Sequence, residues 1–115
     1  GQNPPARMVR GANGYAGEFV DSLLSSGTVI CGGTVRHSIL FSQVRVDENA
    51  VVDDSILFDG VHVGAGAYLR RCIVDKNVQI PPGERIGFDA TADADRFTVS
   101  ESGITVVPKG YRFSG

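Results

Sequence analysis

Few side chains in this sequence could do chemistry. They are two histidines, His37 and His62, two cysteines, Cys31 and Cys72, and a set of arginines and aspartates. A histidine acts as a base for a nucleophile only when a serine, cysteine or carboxylate arrangement stands beside it. Neither histidine sits in such an arrangement, so both read as surface residues. The cysteines lie at no metal-ligand spacing and read as small buried hydrophobes. Gly64-Ala65-Gly66 is too short for a phosphate-cradling loop. No metal motif is present. The charges are more regular: Arg36, Asp53 and Arg70 recur at one spacing and His37, Asp54 and Arg71 at the next position. Such alternation suits exposed cross-rung pairing, each pair contributing less than about 1 kcal/mol.

Composition narrows the classes further. The 115 residues suit one domain, with 42% hydrophobic and 21% charged residues. A net charge of -2 offers no basic field for nucleic acid or an anionic membrane. Apolar runs are far too short for a membrane span, and no signal-peptide pattern opens the sequence, so a cytoplasmic location is expected. Glycine is abundant, tryptophan is absent, and Val and Ile recur in short clusters bounded by Gly, Asn and Asp. That pattern predicts short strands and tight corners.

What positions these residues is a repeat. Val35-Arg36-His37-Ser38-Ile39-Leu40-Phe41, Val52-Asp53-Asp54-Ser55-Ile56-Leu57-Phe58 and Leu69-Arg70-Arg71-Cys72-Ile73-Val74-Asp75 succeed one another at intervals of 17, and an earlier coil from Phe19 to Thr34 fits at 16. Key aliphatics step by six, six and five through Leu24, Ile30, Val35, Leu40, Val46, Val52, Leu57, Val63, Leu69, Val74, Ile80 and Ile86. Three steps per repeat predict an all-β parallel β-helix of triangular coils, its inward aliphatics stacked into columns. Gly33, Asn49, Gly66 and Gly83 share one repeat position and Gly27, Gln43, Gly60 and Asn77 another, as expected of corners that need a left-handed backbone. Residues 1–18 read as a linker or extended lead-in, 19–89 as the coils, and 90–115 as a short helical turn capped by Asp89 followed by a capping hairpin. Strand alternation turns Leu23, Ile39, Ile56 and Ile73 away from the core, with Phe41 and Phe58 on the same side. An apolar stripe of that kind predicts a face covered by another domain or subunit.

The segments Ser38 to Val46, Leu69 to Lys76, Ile80-Pro81-Pro82-Gly83, Asp95-Arg96-Phe97 and Ser102 to Val107 together resemble the C-terminal domain of bacterial glucose-1-phosphate adenylyltransferases, of the hexapeptide-repeat left-handed β-helix superfamily. The resemblance implies the left-handed sense of the coil, which the repeat does not fix. It also implies an inactive fragment of a nucleotidyltransferase that makes ADP-glucose and pyrophosphate from ATP and glucose 1-phosphate for glycogen synthesis. The partners it implies are an N-terminal catalytic domain of the same chain using Mg2+, and a tetrameric homo-oligomer. No cofactor is expected in the β-helix itself. Lys76 and Lys109 match basic positions that bind sugar-phosphate effectors in the family, often arginine there; lysine keeps the charge without the bidentate fork. Competing readings are a hexapeptide acyltransferase, or the β-helix tail of another sugar-nucleotide pyrophosphorylase. Against the first, the central coils carry no long inserted loop.

Overall fold

The computed structural model describes residues 4–114; residues 1–3 of the expected lead-in and residue 115 of the expected closing segment lie outside them. The architecture is a parallel β-solenoid of about 4 turns with one short helix, consistent with a left-handed β-helix. Its three faces follow from the step series. Face A stacks Arg7–Val9, Val29–Cys31, Arg45–Val46, His62–Val63 and Gln79–Ile80. Face B stacks Glu18–Val20, Thr34–Arg36, Val51–Asp53, Tyr68–Arg70 and Arg85–Ile86. Face C stacks Leu23–Leu24, Ile39–Leu40, Ile56–Leu57, Cys72–Val74 and Thr105–Val107. The lead-in therefore already supplies a rung, because Arg7–Val9 pairs in parallel with Val29–Cys31.

Parallel register turns the inward residues into three columns. They run Met8–Ile30–Val46–Val63–Ile80, Phe19–Val35–Val52–Leu69–Ile86 and Leu24–Leu40–Leu57–Val74–Val107. Every column member beyond the first coil is buried. Each large side chain so enclosed contributes about 1.5–3 kcal/mol relative to exposure. No single rung could enclose its own aliphatics, so adjacent rungs stabilise one another.

All three corners use left-handed residues, and one expected assignment is corrected. Gly27, Gln43, Gly60 and Asn77 do turn the corner between faces C and A at positive φ. Between faces A and B, however, the turning residues are Gly32, Asn49, Gly66 and Gly83, not Gly33. Gly33 is a glycine for a packing reason: a Cβ there would lie 2.7 Å from Val46 Cγ1. The third corner turns on Asp21, His37, Asp54 and Arg71, with φ between 48 and 53°. A left-handed conformation disfavours such residues by about 1–2 kcal/mol, and a ladder of hydroxyls compensates. Ser38 Oγ donates to Arg36 O and accepts the Ser55 N–H; Ser55 Oγ donates to Asp53 O and accepts the Cys72 N–H, at 2.7–3.1 Å. Cys72 ends the series, its thiol donating to Arg70 O at 3.2 Å.

Burial pushes the Cys72 thiol up to about 12, and the residue is 1% exposed. A thiolate is the reactive form, so Cys72 is expected to resist thiol reagents in the native state. Labelling with a chromogenic disulfide at pH 8 should modify Cys31, which is half-buried, well before Cys72. Equal rates for the two would contradict the packing at the third corner.

The two ends of the solenoid differ. Beyond Ile86 the chain forms α1, Ala90–Arg96, whose N-cap Asp89 accepts the Ala92 N–H. Buried Asp93 accepts the Gly87 N–H at 2.9 Å and pins the helix to the last coil. Thr98–Val99 then pairs antiparallel with Thr105–Val107 as the expected hairpin, while Thr105–Val107 also adds the last parallel rung to face C. Phe97, Tyr111 and Phe113 pack together over this end, with ring centroids 4.7–5.8 Å apart. At the opposite end Phe19 remains 47% and Leu23 68% exposed.

Candidate functional site

The two lysines singled out by resemblance stand on one edge of the prism. Val74 pairs with Val107, so two residues further on Lys76 falls opposite Lys109. Asn77 and Gly110, the next residues, both have positive φ, which shows the same corner built twice in succession. Parallel rungs lie about 4.8 Å apart, a spacing at which two ammonium groups can share one phosphoryl group. Both lysines are exposed. The Lys76 N–H donates to Asp75 Oδ1 at 2.7 Å, fixing the turn that presents its side chain. Beside this edge runs a groove of about 560 Å³ lined by Asn77, Gln79, Pro81, Tyr111, Arg112 and Phe113. Arg112 escaped the sequence reading because it lies beyond the last repeat.

Face C carries the apolar stripe. Leu23, Ile39, Ile56 and Ile73 form one outward column that Val106 extends. Phe41 and Phe58 stack beside it with centroids 5.0 Å apart and planes within 5°. Exposure falls along the column, from Leu23 to the half-buried Ile56 and Ile73. A groove of about 330 Å³ crosses the stripe, floored by Ile39, Ile56, Ile73 and Ile104 and walled by His37, Asp54 and Arg71.

The alternating charges pair only in part. Arg36 meets Asp53 at 3.9 Å and His37 meets Asp54 at 3.2 Å. The next rung breaks the expected pattern: Arg71 donates to Ser102 O at 2.6 Å, and Arg70 lies over the Phe88 ring. The physical reason is the closing segment, which adds a carbonyl and an aromatic face beside the last full coil. On face A, Asp47 receives His62 Nε2 at 2.6 Å and Arg45 Nε at 2.7 Å. Partial burial would raise the Asp47 carboxyl, but these two hydrogen bonds outweigh it and hold the group below the usual carboxylate range. Neither His–Asp pair has a nucleophile on its other side. Among the described residues no group of three or more His, Cys, Asp or Glu could hold a metal ion, and no helix is long and apolar enough to cross a membrane.

Residues 4–107 match the protein family described as GlmU-like, C-terminal hexapeptide. The chain belongs to this family. Within the hexapeptide family it is similar to glucose-1-phosphate adenylyltransferase 2 of Vibrio cholerae, 49% identical over 98% of this chain and 28% of the relative. It is also similar to the glucose-1-phosphate adenylyltransferases of Deinococcus deserti, 46% identical over 96% of this chain and 27% of the relative, and Frankia casuarinae, 49% over 93% and 26%. The chain thus spans about a quarter of the length of the curated relatives it matches.

Proposed function

We propose that this chain is the C-terminal regulatory and assembly domain of a glucose-1-phosphate adenylyltransferase, an enzyme making ADP-glucose and pyrophosphate from ATP and glucose 1-phosphate for glycogen synthesis. Similarity to adenylyltransferases over nearly the whole chain supports the parent activity, and its span of about a quarter of those relatives supports its being one domain of a longer protein. Catalysis, with its Mg2+, then belongs to an N-terminal domain of the same polypeptide. The observation that carries the regulatory role is the placement of Lys76 and Lys109 on successive rungs of one edge. A sugar-phosphate effector would bridge them, and the adjoining groove lined by Arg112 would take its remainder.

Assembly rests on the face C stripe and the bare first coil. A contiguous apolar stripe is characteristic of an interface, and Leu23, Ile39, Phe41, Ile56, Phe58 and Ile73 are the residues to be covered, by the catalytic domain or by another subunit of a tetramer. A cytoplasmic location accompanies this reading.

The test uses the full-length enzyme. Losing one charge-assisted hydrogen bond to a phosphoryl group weakens binding by about 1.5 kcal/mol, roughly tenfold. Lys76→Ala and Lys109→Ala are each expected to raise the half-activating concentration of a sugar phosphate by about that factor. Lys76→Arg should preserve activation. Activation curves unchanged in both alanine variants would remove the regulatory assignment.

A further inference from the structure

Face B borders the other two corners of the prism and not the Lys76–Lys109 edge. Its outer surface near the sealed end carries Tyr68, Arg70, Arg85 and Phe88, and Arg36, from a rung nearer the other end, donates to the Tyr68 hydroxyl at 3.3 Å. Register explains the cluster. Tyr68 pairs with Arg85, and Arg36, Asp53 and Arg70 form one column. Leu69 pairs with Ile86, so Arg70 falls opposite Gly87, whose missing side chain lets the following Phe88 lie against the arginines. The Arg70 and Arg85 guanidinium carbons stand 5.0 and 4.3 Å from the Phe88 ring centroid, and Arg85 is also 5.6 Å from that of Tyr68. The two rings meet edge to face at 4.7 Å.

The nearby carboxylates are committed elsewhere. Glu84 pairs with Arg96, Asp93 accepts from Gly87, Asp89 caps α1, and Asp53 faces Arg36. Among the described residues no carboxylate lies within ion-pair distance of Arg70 or Arg85, and neither guanidinium donates a hydrogen bond. Aromatic support orders two long side chains while leaving their N–H edges free. In a chain of net charge -2, this is a local inversion of sign with its donors already arranged.

We propose that Arg70 and Arg85 form a second anion site, which takes a small phosphorylated anion through the two guanidinium forks. Planar guanidinium groups match the oxygens of a phosphoryl group in pairs, and Phe88 and Tyr68 hold them at a fixed separation. The site is separate from the lysine edge and stands or falls without it.

Nuclear magnetic resonance of the 115-residue chain, titrated with inorganic pyrophosphate and separately with orthophosphate, tests this. Saturable shifts are expected at the Arg70 and Arg85 Nε–H signals and the Phe88 amide, with a midpoint below about 10 mM for pyrophosphate. Arg70→Gln and Arg85→Gln should each weaken binding about tenfold, whereas Arg45→Gln on face A should not. All three side chains are exposed, and spectral dispersion reports directly whether each variant is folded. Shifts confined to the Lys76–Lys109 edge, no saturation with either anion, or unaltered affinity in Arg85→Gln would overturn the proposal.

Discussion

Replacing Leu57 by alanine is expected to lower the stability of this chain by about 3–5 kcal/mol, the upper range for a leucine truncated in a core that cannot collapse around the void. Leu57 has no exposed surface and lies midway along the column from Leu24 to Val107. Its neighbours above and below are fixed by backbone hydrogen bonds between rungs, so neither Leu40 nor Val74 can move in to fill the space. Leu24, at the bare end of the same column, is only half-buried, and Leu24→Ala should remove about 1–2 kcal/mol by the area it still hides. Urea unfolding followed by circular dichroism separates the two. Equal losses would mean that the rungs do not share a continuous core. A broadened transition in Leu57→Ala alone would show the column splitting into two independently melting stacks.

The second large effect is expected at Gly64. A methyl group there would stand 2.6 Å from Pro82 N and 2.8 Å from Ile80 O and Pro81 C, all backbone of the next coil. Backbone cannot turn aside as a side-chain tip can, and the Gly64 N–H also donates to Ile80 O at 2.8 Å. Gly64→Ala should therefore push two rungs apart and destabilise by at least about 3 kcal/mol. Gly66, two residues on, provides the control. Its φ is +72°, yet nothing lies within 4 Å of an added Cβ, so Gly66→Ala should lose only about 1 kcal/mol of backbone preference. Thermal unfolding of both variants distinguishes contact from conformation. If Gly66→Ala proves the more damaging, coil-to-coil packing at this corner is looser than its distances indicate.

Leu40, Leu57 and Val74 announced the fold because inward positions tolerate little besides aliphatics, and their interval survives intact through the central coils. The repeat spacing places the first A–B turn at Gly33, one residue past Gly32, because the first coil is a residue shorter and two adjacent glycines serve different purposes there. In the sequence, the corner at His37, Asp54 and Arg71 shows only as a charge ladder. Those residues carry no glycine-like signal, and the hydroxyl that accepts the N–H following the corner residue lies one rung, 17 residues, earlier in the sequence. The strand Arg7–Val9 was hidden by the long loop separating it from Glu18–Val20, which breaks the interval. At the proposed effector edge, resemblance picks out Lys76 and Lys109 one by one. Their adjacency was invisible because the intervening helix and hairpin displace the last rung from the repeat's spacing. The Arg70–Phe88 stack depends on Gly87 at the end of the final coil, a three-dimensional juxtaposition with no counterpart in earlier repeats.

The rung Thr105–Val107 is laid by a stretch of chain that has left the spiral and come back. The rungs from Glu18–Val20 to Arg85–Ile86 close over roughly half as much chain, and loop-closure entropy rises by about 0.6 kcal/mol for each doubling of length. Coils can therefore form from local contacts, whereas the last strand, a latch, carries the larger closure cost. Lys109 rides on that latch. An effector bridging Lys76 and Lys109 as proposed would therefore also hold that last strand against the solenoid.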